Sequence, residues 1–336
     1  MKAVIPVAGI GSRLRPHTHT QPKALVPVAG KPILAHIIDT LIDGGVKDFV
    51  FVTGYLRGKI EDFITERYKD GNIKIEFVLQ EPREGTGHAI WVARDSIRDE
   101  DEVLIMLGDS ILTLDFDRFL TMPHNALAVR KVDNPVLFGV AEVDGQGKAT
   151  RLVEKPKIPK SNLALAGLYK IARPDLLVEA VEHIMENDIR NHDEIQLTDA
   201  LSRMIGKGEQ FDTVVVDNWY DCGKKDSLLE ANAILLAKPK FQDVPAEIYT
   251  RTIIIPPVSI GAGCQLSNSI IGPNVALGDH SVVSYSIVSN TIVGSYSELK
   301  NAVLNHSVIG SDTTVEGLNQ SLNVGDSTEI NFSNTR

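Results

Sequence analysis

Two basic side chains, Arg13 and Lys23, sit in the stretch "AGIGSRLRPHTHTQPKALVPVAGKP", residues 8–32. The chain leaves an apolar strand through Gly9 and Gly11 and starts a helix only after Pro32. Backbone N–H groups exposed in such a turn point at an anion, and Arg13 and Lys23 add full positive charge, so the chemistry implied is phosphate binding. "LGDS" supplies Asp109 at the carboxyl end of another apolar strand, facing the same side, where a hard carboxylate oxygen suits Mg²⁺. The loop has neither the G-x-x-x-x-G-K-[ST] spacing of a P-loop nor a G-x-G-x-x-G. His17 and His19 alternate without a third ligand, which leaves them as ordinary loop residues. Cys222 has no evident His partner and reads as packing.

These residues need elements to hold them. "KAVIPVA" reads as a buried strand, and "PILAHIIDTLIDGG" has helical spacing between Pro32 and Gly44. "KDFVFVTG", "LRGKIEDFITERY", "IKIEFVLQ", a helix from about Gly87 to Ser96, and "EVLIMLGD" continue the alternation. This rhythm predicts a Rossmann-like α/β fold with a mixed, mostly parallel sheet and helices on both faces, its ligands beyond the carboxyl ends of the strands. From about residue 127 come a hairpin with "DGQG" at its turn, the strand "LALAGLYKI", helices near 174–187 and 196–206, one strand "DTVVVDNWYD" and a last helix. We place a domain over 1–237, a proline-bearing linker over 238–250 and a repeat domain over 251–336. In the last, short strands bounded by Gly, Asn and Ser recur, with Gly294 and Gly310 in register at a period of sixteen, which predicts a parallel β-helix.

The chain has 336 residues, enough for two domains, and a formal net charge of −10. An acidic balance argues against nucleic acid or an anionic membrane as partner. Two cysteines, Cys222 and Cys264, make no disulfide framework, so a cytoplasmic setting is expected. No apolar run is long enough to span a bilayer.

The full run G-x-G-[ST]-R-L-x-P followed by P-K-x-L-x-P-V-x-x-K-P resembles the signature loop of the sugar-1-phosphate nucleotidyltransferases, glucose-1-phosphate thymidylyl- and uridylyltransferases among them. Ordered motifs carry the resemblance over residues 1 to about 237, with a left-handed β-helix-like tail after them. It implies an enzyme that joins a nucleoside triphosphate to a sugar 1-phosphate and releases pyrophosphate. It further implies that Ala8, Gly9, Gly11, Ser12 and Arg13 hold the triphosphate, and that Lys23 contacts the α-phosphate and the sugar phosphate. "LQEPREGTGHA" resembles the base-binding segment. Its Gln80 can donate and accept, as the imide edge of uracil or thymine requires, while Gly85 allows close backbone approach and Thr86 opens a helix. Asp221 in "WYDCG" matches the second metal position beside Asp109. Gly139, Glu154, Lys155, Ala166 and Gly167 match the residues that enclose the sugar. Ile10 stands where the family usually has Gly, and Ser12 where Thr is commoner.

The expected reaction is Mg²⁺-assisted in-line attack of a hexose 1-phosphate on the α-phosphate of dTTP or UTP, the base staying open between thymine and uracil. A homo-oligomer is expected, with the β-helix serving assembly or regulation. Two rivals stand beside this reading. One is a non-catalytic regulatory subunit, which would be expected to lose Arg13, Lys23, Asp109 or Asp221. The other is a bifunctional enzyme whose β-helix carries an acyltransferase centre at His280 or His306.

Overall fold

The computed structural model describes residues 1–241 and 249–317. The chain divides into two compact units, Met1–Leu235 and Leu236–Arg336. Most of the expected linker, and residues 318–336 of the expected repeat domain, lie outside the described residues.

In the first unit, Lys2–Pro6, Asp48–Thr53, Lys74–Leu79 and Val103–Met106 form a parallel block, with Lys2–Pro6 between Val103–Met106 and Asp48–Thr53. Val4, Val50, Val52, Val103 and Ile105 pack on one face against Ile90, Leu177, Val181 and Leu201. The alternate residues Ile5, Phe49 and Phe51 are fully buried as well, because successive strand side chains point to opposite faces. Each such side chain is worth about 1.5–3 kcal/mol relative to exposure. The helix Ile33–Asp43 follows Pro32, buries Ile33, Leu34, Ile37, Ile38 and Leu41, and ends at Gly44, whose N–H bonds to the Thr40 carbonyl.

Leu163–Ile171 joins this block antiparallel to Val103–Met106 and also pairs antiparallel with Asn125–Lys131 and Val140–Val143. The expected hairpin is present, Val140–Val143 against Ala149–Val153, its turn tied by Asp144, whose Oδ1 accepts from the backbone N–H of Gln146 and Lys148. Phe211–Val215 adds parallel to Asn125–Lys131 and completes a nine-stranded mixed sheet.

Two details differ from the sequence reading. The helix expected from Gly87 to Ser96 is two pieces, Thr86–Val92 and Arg94–Ile97. "DTVVVDNWYD" is two strands in different sheets: Val216 N–H still bonds to Val129 O, but Asp217 N–H bonds to Thr113 O. Asn218–Asp221 thus pairs antiparallel with Ser110–Thr113, and Asp221 lies opposite Ser110.

Among the described residues the second unit winds through three four-stranded parallel sheets. Ile253 pairs with Ile270 and Ile270 with Ile287, seventeen residues apart, whereas Val282, Glu298 and Thr314 step by sixteen. That one-residue change in coil length is why the repeat looks ragged in sequence. Leu266, Ile271, Val283, Val288, Val293 and Leu299 fill its interior. His280 and His306 sit at bends with φ of 58° and 53°, and the His280 ring stacks on Tyr296 at 5.1 Å. Among the described residues no helix is long and apolar enough to cross a membrane.

Candidate active site

A cavity of about 650 Å³ opens beyond the carboxyl ends of the parallel strands. The loop after Lys2–Pro6 forms one wall. It folds as three short 3-10 turns, Ser12–Leu14, His17–His19 and Lys23–Leu25. Fully buried Thr18 donates to the Gly11 carbonyl at 2.8 Å and pins the loop on itself. Gly11 has φ of 68°, and a Cβ there would fall 2.8 Å from the Lys23 Cβ, so only glycine lets the Lys23 stem pass beneath the turn. The backbone N–H groups of Gly9, Ile10 and Gly11 donate to no group among the described residues, and all three residues line the cavity.

Charge converges at the end of this loop. Lys23 Nζ lies 2.5 Å from Asp109 Oδ2 and 4.0 Å from Asp221 Oδ1, and Arg13 Nη1 lies 3.9 Å from Asp221 Oδ2. Asp109 lies in the short turn between Val103–Met106 and Ser110–Thr113, and Asp221 is carried to it by the ribbon with Ser110–Thr113, closed by Cys222 N–H on the Asp109 carbonyl at 3.0 Å. Burial opposes ionisation of Asp109, yet contact with the Lys23 ammonium holds its carboxyl below the usual value. Burial and the Asp109 charge push the Asp221 carboxyl above its usual value, against the pull of Lys23 and Arg13. Among the described residues no cluster of three or more His, Cys, Asp or Glu forms a protein-only metal cage. Two carboxylates that already draw in a cation, with room for substrate oxygens, fit the ligand set Mg²⁺ prefers. Cys222 beside them is fully buried, which pushes its thiol up and suits packing.

The opposite wall carries the base-type residues. Gln80 is 4% exposed and its Nε2 donates to the Gly85 carbonyl at 2.8 Å. Gly85 has φ of 112°, and a Cβ there would fall 2.5 Å from the Ile195 carbonyl oxygen, so this approach requires glycine. Thr86 donates to Gln196 Oε1 and accepts the Leu197 N–H. Glu154 and Lys155 follow the strand Ala149–Val153 and line the same cavity, the Glu154 carboxylate 3.5 Å from Lys155 Nζ.

Not every expected residue faces the cavity. Ala8, Gly9, Gly11, Ser12, Arg13, Lys23, Gln80, Gly85, Thr86, Asp109, Glu154 and Lys155 line it, whereas Gly139, Ala166, Gly167 and Asp221 stand behind the lining. Gly139 backs Glu154, since a Cβ on it would fall 2.8 Å from Glu154 Oε2. Gly167 backs the Ser110 hydroxyl in the same way, and Ala166 is fully buried. The sequence reading missed Arg83, Glu194 and Gln196 in the lining, and Thr198, whose hydroxyl donates to Glu154 Oε2 at 2.8 Å. The available signal was "EIQLTD", where polar Gln196 and Thr198 alternate with apolar residues at the start of the helix Leu197–Gly206 yet are buried.

The profile of the nucleotidyl transferase family matches residues 2–238. The chain belongs to the nucleotidyl transferase family. A nucleotidyltransferase of low-salt glycan biosynthesis, Agl11 of Haloferax volcanii, is 37% identical over 243 residues, 70% of this chain and 66% of that protein. A glucose-1-phosphate thymidylyltransferase of Streptomyces antibioticus is 31% identical over 316 residues, 87% of each chain. The solved UDP-glucose pyrophosphorylase from Acinetobacter baumanii superposes with a TM-score of 0.58 at 24% identity, over 71% of this chain and 94% of that one, and shows the shared fold. The nucleotidyl transferase match takes in the whole cavity and stops short of the β-helix.

Proposed function

We propose that this nucleotidyl transferase moves a nucleotidyl group from dTTP or UTP to a hexose 1-phosphate, glucose 1-phosphate first among them, with release of pyrophosphate. The observation that carries the proposal is the convergence of Arg13, Lys23, Asp109 and Asp221 beside the undonated N–H groups of Gly9 to Gly11. A cavity of about 650 Å³ is within the usual range for small-molecule sites. The relative named for thymidylyl transfer to glucose 1-phosphate supports the substrate class.

A sugar phosphate has its second pKa near 6, so it arrives largely as a dianion and needs no general base. The remaining difficulty is to bring two polyanions together in line. The loop N–H groups and Arg13 hold the β- and γ-phosphates that leave. Lys23 bridges the α-phosphate and the incoming sugar phosphate. Gln80, Gly85 and Thr86 hold the base, and Glu154 with Lys155 holds the sugar and its phosphate. Asp109 and Asp221 would hold Mg²⁺, which when bound neutralises triphosphate charge. A sugar-phosphate oxygen bonds to the α-phosphorus, the α–β bridging bond breaks, and pyrophosphate departs with its electron pair.

Incubation with UTP or dTTP and glucose 1-phosphate, followed by mass detection of a nucleoside-diphosphate sugar, tests the proposal. Absence of such a product for every hexose 1-phosphate offered would contradict it. Gln80→Ala is expected to lower kcat/KM for the preferred pyrimidine triphosphate by about 1–3 kcal/mol, the scale for an unmatched polar group. Steady-state kinetics check this, and equal values for variant and wild type would remove Gln80 from base recognition.

A further inference from the structure

We infer that His88 locks the Gln80 side-chain amide so that its carbonyl oxygen faces the base pocket, and that the site therefore favours a base offering a ring N–H over one offering a bare ring nitrogen. This rests on reading the cavity as a nucleotide site. The argument begins with Gly85, whose carbonyl can only accept. Its 2.8 Å partner on Gln80 is therefore the amide nitrogen. The same nitrogen lies 3.1 Å from His88 Nδ1. With one hydrogen directed to Gly85, the other points at Nδ1, which must present a lone pair, so His88 carries its proton on Nε2.

The lock is sheltered. Gln80 is 4% exposed and His88 3%, so water does not replace either bond cheaply. The His88 ring stacks on Trp91 at 5.6 Å, which fixes its plane. Burial favours the neutral ring that the lock needs. Rotating the amide by half a turn would set Gln80 Oε1 against the Gly85 carbonyl, which can only accept, and would force His88 to move its proton to Nδ1. Oε1 accepts from no group among the described residues and is not an enclosed, unpartnered atom, while Gln80 lines the cavity. Among the described residues it is therefore an acceptor with no protein partner at the pocket. The N3–H of uracil or thymine matches it, whereas N3 of cytosine brings a lone pair to a lone pair.

His88 is a positioning residue, and the test reads discrimination. Calorimetric titration of UTP and of CTP in the presence of Mg²⁺ is carried out on the wild type, His88→Leu and His88→Asn. The wild type is expected to favour UTP. His88→Leu should lower the UTP:CTP affinity ratio roughly 3- to 10-fold, the scale of one lost hydrogen bond. His88→Asn, whose Oδ1 takes the place of Nδ1, should keep most of the ratio. An unchanged ratio in His88→Leu, or no preference in the wild type, would overturn the inference. Should His88→Leu fail to fold, ¹⁵N-histidine spectra of the wild type decide: an unprotonated Nδ1 supports the lock, and an Nδ1–H tautomer overturns it. Binding is read without turnover. A His88-dependent UTP preference without sugar product would sink the proposed function alone, and transfer with an unaltered ratio would sink this inference alone.

Discussion

Asp109→Asn and Asp221→Asn are each expected to lower turnover by about 10²-fold or more, the scale for losing a principal electrostatic partner of the transition state. The two carboxylates face one centre: Lys23 lies 2.5 Å from the first and 4.0 Å from the second. The double variant should fall far less than the product of the singles, because both act through one cation. Excess EDTA should abolish wild-type turnover. The variants should separate in stability. Asp221 has its carboxyl raised by burial and by Asp109, so its charge destabilises the ligand-free protein at neutral pH. Asp221→Asn should therefore melt higher than wild type at pH 7. The gap should close as pH falls through the raised carboxyl range, where wild-type Asp221 takes up its own proton. Asp109 has the opposite sign: Lys23 holds its carboxyl low, and its stabilising contribution is present above the unfolded carboxyl pKa and lost as pH falls through the lower folded one. Asp109→Asn should gain no stability at pH 7. Thermal melts across pH check both signs, and near-normal turnover by either variant would remove that aspartate from the centre.

Lys23→Met should cost about 10²- to 10³-fold in turnover, the loss expected when one preorganised cationic donor disappears from a desolvated site. Lys23 is only 13% exposed at its side chain and sits between two carboxylates, so among the described residues its removal leaves Asp221 with Arg13 alone within ion-pair distance and Asp109 with no cation. Lys23→Arg should not restore the rate. The stem runs under Gly11, and a Cβ on Gly223 would already fall 3.1 Å from Nζ, so a planar guanidinium lacks room. Single-turnover measurements at saturating nucleotide check the chemical step. A Lys23→Met enzyme within threefold of wild type would show that Lys23 only neutralises the empty site.

Much of this centre was legible because its residues cluster in short segments. Pro32 and Gly44 bracket a helix by their own backbone chemistry, and Gly11, Arg13 and Lys23 share one loop, so local pattern was enough to group these three cavity-lining residues. The strand "DTVVVDNWYD" gave no local sign that it would change sheets, because the break at Asp217 is set by a bond to Thr113 of a strand formed 104 residues earlier. Gln196 and Thr198 escaped for the same reason: their partners Thr86 and Glu154 are 110 and 44 residues away. The orientation of the Gln80 amide is likewise set by the Gly85 carbonyl and the His88 ring, which composition cannot show. In the β-helix the period was visible, but the change from seventeen to sixteen residues per coil appears only in the strand register.

The central claim is that a sugar-phosphate oxygen attacks the α-phosphorus of the nucleotide and expels pyrophosphate. Glucose 1-phosphate carrying ¹⁸O in its phosphate oxygens, offered with UTP or dTTP and Mg²⁺, tests this by mass analysis of both products. The account predicts that all of the label is retained in the nucleoside-diphosphate sugar and none enters pyrophosphate. Label in pyrophosphate, or pyrophosphate released at the same rate without sugar phosphate, would contradict it.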